Sequence, residues 1–214
     1  MKTATKSVAT TRASAVAGRS IKNAVESRNK KLILIATLGY PGSCKTFFSR
    51  RFAKEFNFFH LNSDFLRSEI FPKPNYSKEE NISVLRIRNF ITEELLRMGI
   101  NVIYDANLTK KIYRKDLQRI ARRQKANYLL LWFKTPVEKA LSRIKKRRRY
   151  KSELMKRYHI EIDDSVVFKV KNEEEYPIKE PHIVLEPNSY QRQKEIVLKF
   201  LRTQKNSLDR QIAK

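Results

Sequence analysis

The stretch from residue 32 to residue 46 constrains the fold of this chain more than any other part of the sequence. Its apolar half, Leu32–Leu38, predicts a buried strand of a parallel sheet, because such strands are unbroken hydrophobic runs. Its second half, GYPGSCKT, follows the phosphate-binding pattern G-x-x-x-x-G-K-[ST], except that Cys44 replaces the second glycine. The alternative is a glycine-containing turn that binds nothing. We favour a phosphate-binding loop (the P-loop, residues 39–46), because the strand, the glycines and the Lys-Thr pair occur in the right order.

The residue types of the P-loop predict a site for ATP and Mg²⁺. Backbone N–H groups of such a loop, with the N-terminus of the helix that follows, point at phosphate oxygens. Lys45 places a positive charge against the β- and γ-phosphates, and Thr46 offers a hydroxyl ligand to Mg²⁺. The expected nucleotide-binding residues are Gly39, Pro41, Gly42, Ser43, Cys44, Lys45 and Thr46.

Net charge is the second feature that limits the function. The chain has 214 residues with 47 Lys and Arg against 22 Asp and Glu, and its formal net charge is +25. Such an excess attracts polyanions, so nucleic acid, RNA or DNA, is the expected partner. The alternative is a charged surface that serves solubility only. No apolar run is long enough to span a membrane, and a single cysteine excludes an internal disulfide, so we expect a cytoplasmic protein.

Residues 1–31 differ in composition from the rest of the chain. They are mostly Ala, Ser, Thr, Lys and Arg, with Glu26 as their one acidic residue, which predicts a basic flexible tail that strengthens polyanion binding. An organellar transit peptide is the alternative. We expect one domain over residues 32–203, including a lid at about 143–176, followed by a C-terminal tail at 204–214.

Strand and helix patterns alternate from residue 32 onward. The predicted strands are 32–38, 58–61, 102–104, 128–133 and 182–185. The predicted helices are 45–56, one from the capping box at 77–80 to Gly99, 113–125, one that begins at 135–138, and 191–202. The side chains of the second helix expected to face the core are Val84, Ile87, Ile91, Leu95 and Met98. The alternation predicts an α/β fold of the P-loop NTPase type, a five-stranded parallel sheet with helices on both faces and a basic helical lid.

Ligands of such sheets bind beyond the carboxyl ends of the strands, so the polar residues there are candidate site residues. Asp64 follows the second strand and would accept the proton of an attacking hydroxyl as general base. Arg67, one helical turn later, would hold the transferred phosphoryl group or the acceptor. The alternative is that Asp64 only caps the next helix. Asp105 ends the third strand as a Walker B acid does, and we expect it, with Thr46, in the Mg²⁺ shell.

Two runs of the sequence are strongly basic. In residues 143–158, nine Lys and Arg stand against Glu153, and Arg143 and Arg147 share one helix face. We expect this segment to be a lid in which one or two arginines stabilise the charge on the transferred phosphoryl group. The alternative for the lid is an exposed helix that only solubilises the protein. In Lys110–Lys125, eight Lys and Arg face Asp116 alone, and we expect them to contact nucleic acid.

Four segments of the chain fit the sequence blocks of one known family. GYPGSCKT is similar to a G-x-P-G-S-G-K-[ST] loop, and NSDFLRSEI to an S-D-x-x-R block. NVIYDANLTKKIYRKDL is similar to V-I-x-D-A-[TN] with its downstream arginine, and TPVEKALSRIKKR to a T-P-x-E…R-x-x-x-R lid helix. Together, from about Leu32 to Leu185, they resemble the small P-loop kinases of the polynucleotide-kinase-like group, AAA-type relatives of the zeta toxins.

The resemblance implies ATP-dependent transfer of a phosphoryl group to a hydroxyl. By this likeness, Lys45 and Thr46 bind ATP and Mg²⁺, and Asp64 is the general base. Arg67 would contact the acceptor phosphate or the transferred group, and one of the two lid arginines would clamp the γ-phosphoryl group. Cys44 departs from the family pattern. A side chain at this position would crowd the β-phosphate or require a costly backbone conformation.

Three functions are compatible with these observations. A polynucleotide 5′-hydroxyl kinase combines the kinase blocks with the net charge of +25. A small-molecule kinase of the zeta-toxin type, acting on a nucleotide sugar or an antibiotic, would have the same blocks, and its charge would be incidental. A catalytically impaired P-loop protein that binds nucleic acid or ribosomes would fit the departure at Cys44. We favour the first, and the sequence does not separate RNA from DNA.

Overall fold

The structure is a computed structural model that describes residues 32–149 and 163–212, with side chains described up to residue 203. The basic tail at 1–31 and the part of the lid at 150–162 lie outside these ranges. The strands are β1 (Ile33–Leu38), β2 (Phe59–Asn62), β3 (Val102–Asp105), β4 (Asn127–Phe133) and β5 (His182–Leu185). The helices are α1 (Lys45–Phe56), α2 (Ser63–Ile70), α3 (Lys78–Arg97), α4 (Lys111–Arg123), α5 (Val137–Arg149), α6 (Asp164–Asn172) and α7 (Tyr190–Ile212).

The five strands form one parallel sheet in the order β2-β3-β1-β4-β5. β1 lies in the centre, where Leu34 is opposite Val102 of β3 and Tyr128 of β4. At the edge, Asn62 of β2 is opposite Asp105 of β3 at the carboxyl ends of both strands. The predicted five-stranded parallel sheet is therefore confirmed. Because all strands run the same way, the P-loop, the start of α2 and Asp105 meet at one edge of the sheet.

Alternate side chains of β1 fill two hydrophobic cores on opposite faces of the sheet. On one face Leu34 packs with Leu117 of α4, and on the other Ile35 packs with Phe48 and Phe52 of α1. The rings of Phe48 and Phe52 are stacked with their centroids 5.3 Å apart. Full burial of such side chains stabilises the fold by roughly 1.5–3 kcal/mol each. The predicted helix layers on both faces are confirmed, and they support the strand that carries the P-loop from both sides.

The buried face of α3 agrees in part with the apolar pattern, since Val84 is buried and Ile91 and Leu95 pack against the core. Ile87 is 37% exposed and Met98 is 72% exposed, so the expectation that both face the core is wrong. Besides Val84, the side chains that α3 buries are Glu80, Arg88, Thr92 and Leu96. The apolar pattern misses the polar ones because they find polar or aromatic partners on α2 and β3.

Two other helices differ from the predicted ones. The closing helix, expected to end at Arg202, continues to Ile212, so positions 204–212 of the expected tail are helical. Within the expected lid, α6 forms at Asp164–Asn172, where the side chain of Asp163 accepts a hydrogen bond from the backbone N–H of Ser165 over 2.8 Å. Such a carboxylate cap stabilises a helix start by about 1 kcal/mol.

Candidate active site

Two glycines give the P-loop its shape. Gly39 has a φ of 140°, and a Cβ there would lie 2.9 Å from the carbonyl oxygen of Phe133 at the end of β4. Gly42 has a φ of 82°, and a Cβ there would lie 2.6 Å from the carbonyl oxygen of Ala140 in α5. Both distances are too short for a side chain, so glycine is required where the loop passes β4 and α5.

Cys44 occupies the position before α1 that glycine holds in the usual pattern. Its φ of 72° and ψ of 17° lie in the left-handed region, and its side chain makes no capping hydrogen bond to α1. A residue with a Cβ adopts this conformation at a cost of about 1–2 kcal/mol. The costly backbone conformation expected for Cys44 is therefore present.

Lys45 is almost fully buried at the base of the P-loop. Its Nζ donates hydrogen bonds to the carbonyl oxygen of Tyr40 over 3.0 Å and to Oγ of Ser43 over 3.3 Å. Burial lowers the pKa of Lys45 to about 8, although the charges of Asp105 and Asp64 oppose that shift. The ammonium group is therefore poised to gain from an anion such as phosphate bound within the loop.

A hydrogen-bonded cluster joins Thr46 to Asp105. Nδ2 of Asn62 lies 2.6 Å from Oδ2 of Asp105 and 3.4 Å from Oγ1 of Thr46. Nε2 of His60 lies 2.9 Å from the same Asp105 oxygen, and Oγ1 of Thr37 lies 3.5 Å from Oδ1. Burial raises the pKa of Asp105, but the hydrogen bonds to His60 and Asn62 and the charge of Lys45 outweigh burial and leave that pKa below its ordinary value.

The two proposed metal ligands fit Mg²⁺. The Thr46 hydroxyl and the Asp105 carboxylate share the Asn62 amide, and both are hard oxygen donors of the kind that Mg²⁺ prefers. In residues 32–149 and 163–212, no group of three or more His, Cys, Asp or Glu forms a metal site by itself. Mg²⁺ commonly takes only one or two protein ligands and completes its shell with water and phosphate oxygens, so such a group is not required.

Sequence reasoning missed Asn62 and His60. Both side chains lie on one face of β2, two residues apart, and the register places that face beside β3. The available signal was this alternation of polar residues at the end of a predicted strand, next to a second strand that ends in Asp105. Asn62 also accepts hydrogen bonds from the backbone N–H groups of Asp64 and Phe65 over 2.9 and 3.0 Å. Asn62, and not Asp64, is therefore the cap of α2, and the capping alternative for Asp64 is wrong.

Asp64 lies in the first turn of α2, directly after the carboxyl end of β2. Burial raises the pKa of its carboxyl, as does the charge of Asp105, while the charges of Lys45, Arg88 and Arg67 partly oppose the shift. Among the described residues, no side chain donates a hydrogen bond to the Asp64 carboxylate. A carboxylate with a raised pKa and free acceptor positions has the properties of a general base.

Arg67 does not point freely at the acceptor. Its guanidinium forms a buried ion pair with Glu80 of α3, and its Nη2 donates to Oδ1 of Asn81 over 2.7 Å. Its guanidinium carbon also lies 4.6 Å from the centre of the Tyr76 ring. The predicted capping box of α3 forms only in part, because Oγ of Ser77 accepts from the Glu80 N–H while the Glu80 carboxylate is held by Arg67. Arg67 thus fastens α2 to α3, and its contact with the acceptor stays a prediction.

The lid helix α5 brings Arg143 and Arg147 to the P-loop. Nη1 of Arg143 donates to the carbonyl oxygen of Gly42 over 3.1 Å. The charge of Arg147 contributes to the lowered pKa of Lys45, for which burial is the main cause. The other basic residues of α5 are exposed, namely Lys139, Lys145, Lys146, Arg148 and Arg149, and Arg148 pairs with Asp164 over 2.8 Å.

Ion pairs with acidic residues occupy part of the second basic run, Lys110–Lys125. Arg114 is fully buried, and its Nη2 lies 2.7 Å from Oε1 of Glu180. Arg123 pairs with Glu93 over 2.8 Å. Glu180 and Glu93, which are distant in sequence, therefore neutralise part of this run. Its remaining exposed cations are Lys111, Lys115, Arg119, Arg122 and Lys125.

A cavity of about 920 Å³ opens beside the P-loop at the carboxyl ends of β4 and β5. Its lining includes Tyr40 of the P-loop, Trp132 of β4 and Tyr176 from the segment after α6, and the rings of Trp132 and Tyr176 lie 5.5 Å apart. Glu174 also lines the cavity, and burial raises the pKa of its carboxyl. The volume suits a ligand the size of a nucleoside. Sequence reasoning missed this cavity, because part of its wall comes from the segment after α6, which has no recognisable pattern.

One protein family matches more than half of the chain. The AAA domain family (AAA_33) matches residues 34–168, a range that includes most of the P-loop strand, the loop itself, Asp64, Asp105 and both lid arginines. The chain belongs to the AAA domain family. No curated protein matches this AAA domain.

Solved structures share the fold of this AAA domain over most of its length. The APS kinase CysC of Mycobacterium tuberculosis, in complex with AMPPNP and APS, is 18% identical with a TM-score of 0.59, over 80% of this chain and 98% of that chain. A gluconokinase of Sinorhizobium meliloti is 16% identical with a TM-score of 0.60, over 85% and 99%. A chain of the Pnkp1/Rnl/Hen1 RNA repair complex is 24% identical with a TM-score of 0.56, over 68% and 45%. At these identities the likeness establishes the P-loop kinase fold.

Within the described residues, no helix of this AAA domain is long and apolar enough to cross a membrane.

Proposed function

We propose that this AAA domain is an ATP-dependent kinase that transfers the γ-phosphoryl group to a hydroxyl group of an acceptor. One observation carries the proposal. The Asn62 side chain holds the backbone N–H of Asp64 and the carboxylate of Asp105 at the same edge of the sheet as the P-loop, and the pKa of Asp64 is raised. A base, a buried cation and a magnesium-binding acid at one sheet edge are the groups that phosphoryl transfer requires.

Each residue has a defined task in this reaction. Asp64 accepts the proton of the acceptor hydroxyl. At the same time the hydroxyl oxygen bonds to the γ-phosphorus, and the bond between the γ-phosphorus and ADP breaks. Lys45 holds the β- and γ-phosphates, and Arg143 and Arg147 stabilise the charge on the transferred oxygens. Thr46 and Asp105 would hold Mg²⁺, which neutralises phosphate charge when it is bound.

The order of the strands supports opposite positions for the two substrates. Asp64 follows β2 at one side of the sheet, whereas the cavity beside Tyr40 lies at β4 and β5, on the other side of the central P-loop. Phosphoryl transfer needs the attacking and leaving oxygens roughly in line. We therefore place the acceptor on the β2 and β3 side and the nucleoside of ATP in the cavity.

The 5′-hydroxyl of a polynucleotide is the acceptor that we favour. The net charge of +25 and the exposed cations of α4 and α5 support it, since polyanions bind by displacing counterions from such surfaces. A small-molecule acceptor is the second candidate. The ion pairs of Arg114 and Arg123 favour it, because they remove part of the basic surface from nucleic-acid binding.

Transfer of labelled γ-phosphate from ATP to a panel of acceptors tests the proposal. The panel contains 5′-hydroxyl RNA, 5′-hydroxyl DNA, a 5′-phosphorylated control oligonucleotide, and hydroxyl-bearing small molecules. We expect label on the 5′-hydroxyl oligonucleotides and none on the phosphorylated control. Label on a small molecule alone would establish the second candidate. No label on any acceptor, with ATP bound, would mean an impaired protein that binds without transfer.

A further inference from the structure

The exposed face of α1 carries an aromatic ring and cations that the proposed reaction does not use. Phe47 is 54% exposed, and Arg50, Arg51 and Lys54 are exposed as well. Residues at the third, fourth and seventh positions after Phe47 lie on the same side of a helix as Phe47. These side chains therefore form one stripe, the α1 stripe, which extends over about 10 Å of the helix axis.

The cations of the α1 stripe remain available to an external anion. Among the described residues, no carboxylate pairs with Arg50 or Lys54. Glu55, the acidic residue of α1, already accepts hydrogen bonds from Nζ of Lys194 and from the hydroxyl of Tyr190, each over 2.7 Å. The arginines of α4 and α5 that carboxylates hold are Arg114, Arg119, Arg123 and Arg148.

The α1 stripe begins beside the candidate active site. Phe47 directly follows Thr46, whose Oγ1 lies 3.4 Å from Nδ2 of Asn62. Oδ1 of the same Asn62 accepts a hydrogen bond over 2.9 Å from the backbone N–H of Asp64, the proposed base. An acceptor chain whose first hydroxyl reaches Asp64 can therefore lie along α1 with its following nucleotides.

We propose that the α1 stripe binds a single-stranded polynucleotide, with phosphates on its cations and a base stacked on Phe47. This assignment rests on the proposed kinase function with a polynucleotide acceptor, and it adds the surface along which that acceptor lies. Cations without acidic partners attract the phosphate backbone. An exposed aromatic ring stacks on an unpaired base, which a duplex does not offer. Charge alone would suit any polyanion, so the ring of Phe47 is the feature that favours a single strand.

Binding in the absence of ATP tests the α1 stripe. The probe is a single-stranded oligouridylate labelled at its 3′ end, compared with a duplex of the same length by fluorescence anisotropy at about 50 to 200 mM salt. We expect the single strand to bind more tightly than the duplex. Phe47→Ala should weaken single-strand binding by roughly 5- to 150-fold and leave its salt slope unchanged. Replacing both Arg50→Met and Lys54→Met should reduce that slope by about 1.4, because each lost phosphate contact removes about 0.7.

Matched variants on α3 control for the loss of an exposed ring or an exposed charge. Phe90→Ala removes a phenylalanine that is 66% exposed, and Lys78→Met with Arg86→Met removes exposed cations. Both should bind the oligouridylate as the wild type does, and thermal melting shows that every variant is folded. Unchanged binding by the α1 variants, or an equal loss in the α3 controls, would overturn the α1 stripe. A duplex bound as tightly as the single strand, with no effect of Phe47→Ala, would also overturn it.

Acceptors of different length separate this inference from the kinase proposal. A nucleoside 3′-monophosphate lacks the following nucleotides that would lie on α1, so the variant with Arg50→Met and Lys54→Met should use it as the wild type does. For a 5′-hydroxyl oligonucleotide, the KM of that variant should rise by roughly 10-fold or more. Weaker binding by the α1 variants, without turnover of any acceptor, would contradict the kinase proposal and support the α1 stripe. Turnover of the oligonucleotide with an unchanged KM would overturn the α1 stripe.

Discussion

Asn62 donates a hydrogen bond from Nδ2 to Oδ2 of Asp105 over 2.6 Å, across the carboxyl ends of β2 and β3. The other end of the same amide accepts from the backbone N–H of Asp64. One side chain therefore sets the position of the proposed metal ligand relative to the helix that carries the proposed base. The distance between Asp64 and Asp105 depends on the Asn62 amide. So does the effect of the Asp105 charge on the pKa of Asp64.

Replacing Asn62 with aspartate should destabilise the fold through charge. Asn62→Asp keeps an oxygen that caps α2, but it loses the donor and places a second carboxylate against Asp105. Like charges about 4 Å apart repel by roughly 4 kcal/mol at an effective dielectric constant of 20. We expect the free energy of unfolding to fall by about 2–4 kcal/mol at pH 7 and to recover toward pH 4, where one carboxyl is protonated. An equal loss at both pH values would assign the effect to the missing hydrogen bond alone.

Asp64→Asn should separate catalysis from stability. The side chain keeps its size but no longer accepts the acceptor proton, so turnover should fall by roughly 10²–10⁴ while ATP affinity stays near that of the wild type. The raised pKa of Asp64 means that the folded protein binds more protons than the unfolded chain between the ordinary pKa and the raised one. Stability therefore falls as pH rises through that window, and the loss persists at pH 7.

Asparagine does not titrate, so Asp64→Asn should melt at a higher temperature than the wild type at pH 7. The difference should shrink below the ordinary pKa of an aspartate, where the carboxyl is protonated in both states. A variant that keeps full turnover would show that the base lies elsewhere.

The fold and most of the candidate site could be predicted from the sequence, because their signals are local. The strand and P-loop at 32–46 and the acids Asp64 and Asp105 stand where chain order and residue type place them. The roles of Arg67 and Arg114 could not be predicted, because their partners, Glu80 and Glu180, belong to other elements of the fold. The exposure of Ile87 and Met98 could not be predicted either, because polar side chains such as Arg88, which lies against the ring of Tyr104, take part of the buried face of α3.

The pH dependence of kcat/KM for ATP should be bell-shaped. The alkaline limb should follow Lys45, whose pKa burial lowers to about 8, because the neutral amine no longer attracts phosphate. The acid limb should follow Asp64, and it should lie above the ordinary range of an aspartate because the pKa of Asp64 is raised. Lys45→Arg keeps its charge at high pH, so its residual activity should lack the alkaline limb. An alkaline limb that stays in place in Lys45→Arg would belong to another group.

Cys44→Gly should stabilise the protein. Glycine relieves the left-handed strain at a φ of 72°, although it adds freedom to the unfolded chain, so the net gain should be about 1 kcal/mol in urea unfolding. Activity should be retained or improved. Cys44→Ala removes the thiol but keeps a Cβ, so it should show no comparable gain. Equal stabilisation by glycine and alanine would trace the effect to the thiol instead of the backbone.

Substitutions at two neighbouring positions of α4 should distinguish a charge that stabilises the fold from a charge on the surface. Arg114→Met breaks a fully buried ion pair and should cost about 3–5 kcal/mol of stability. Lys115→Met, at the next and exposed position, should leave stability within about 0.5 kcal/mol. If polynucleotides bind this face, Lys115→Met should reduce the salt slope of RNA binding by about 1, measured by fluorescence anisotropy from 50 to 200 mM salt. An unchanged slope would place the nucleic-acid contacts elsewhere on the protein.

Phosphorylation of a 5′-hydroxyl RNA oligonucleotide is the measurement that bears most directly on the central claim. The wild-type protein is incubated with Mg²⁺ and ATP labelled in the γ-phosphate, beside Lys45→Ala, and the product is digested to nucleotides. The account predicts one labelled phosphate at the 5′ terminus with the wild type and almost none with Lys45→Ala. An oligonucleotide that stays unlabelled, while the same preparation phosphorylates a small molecule or only binds ATP, would contradict polynucleotide kinase activity.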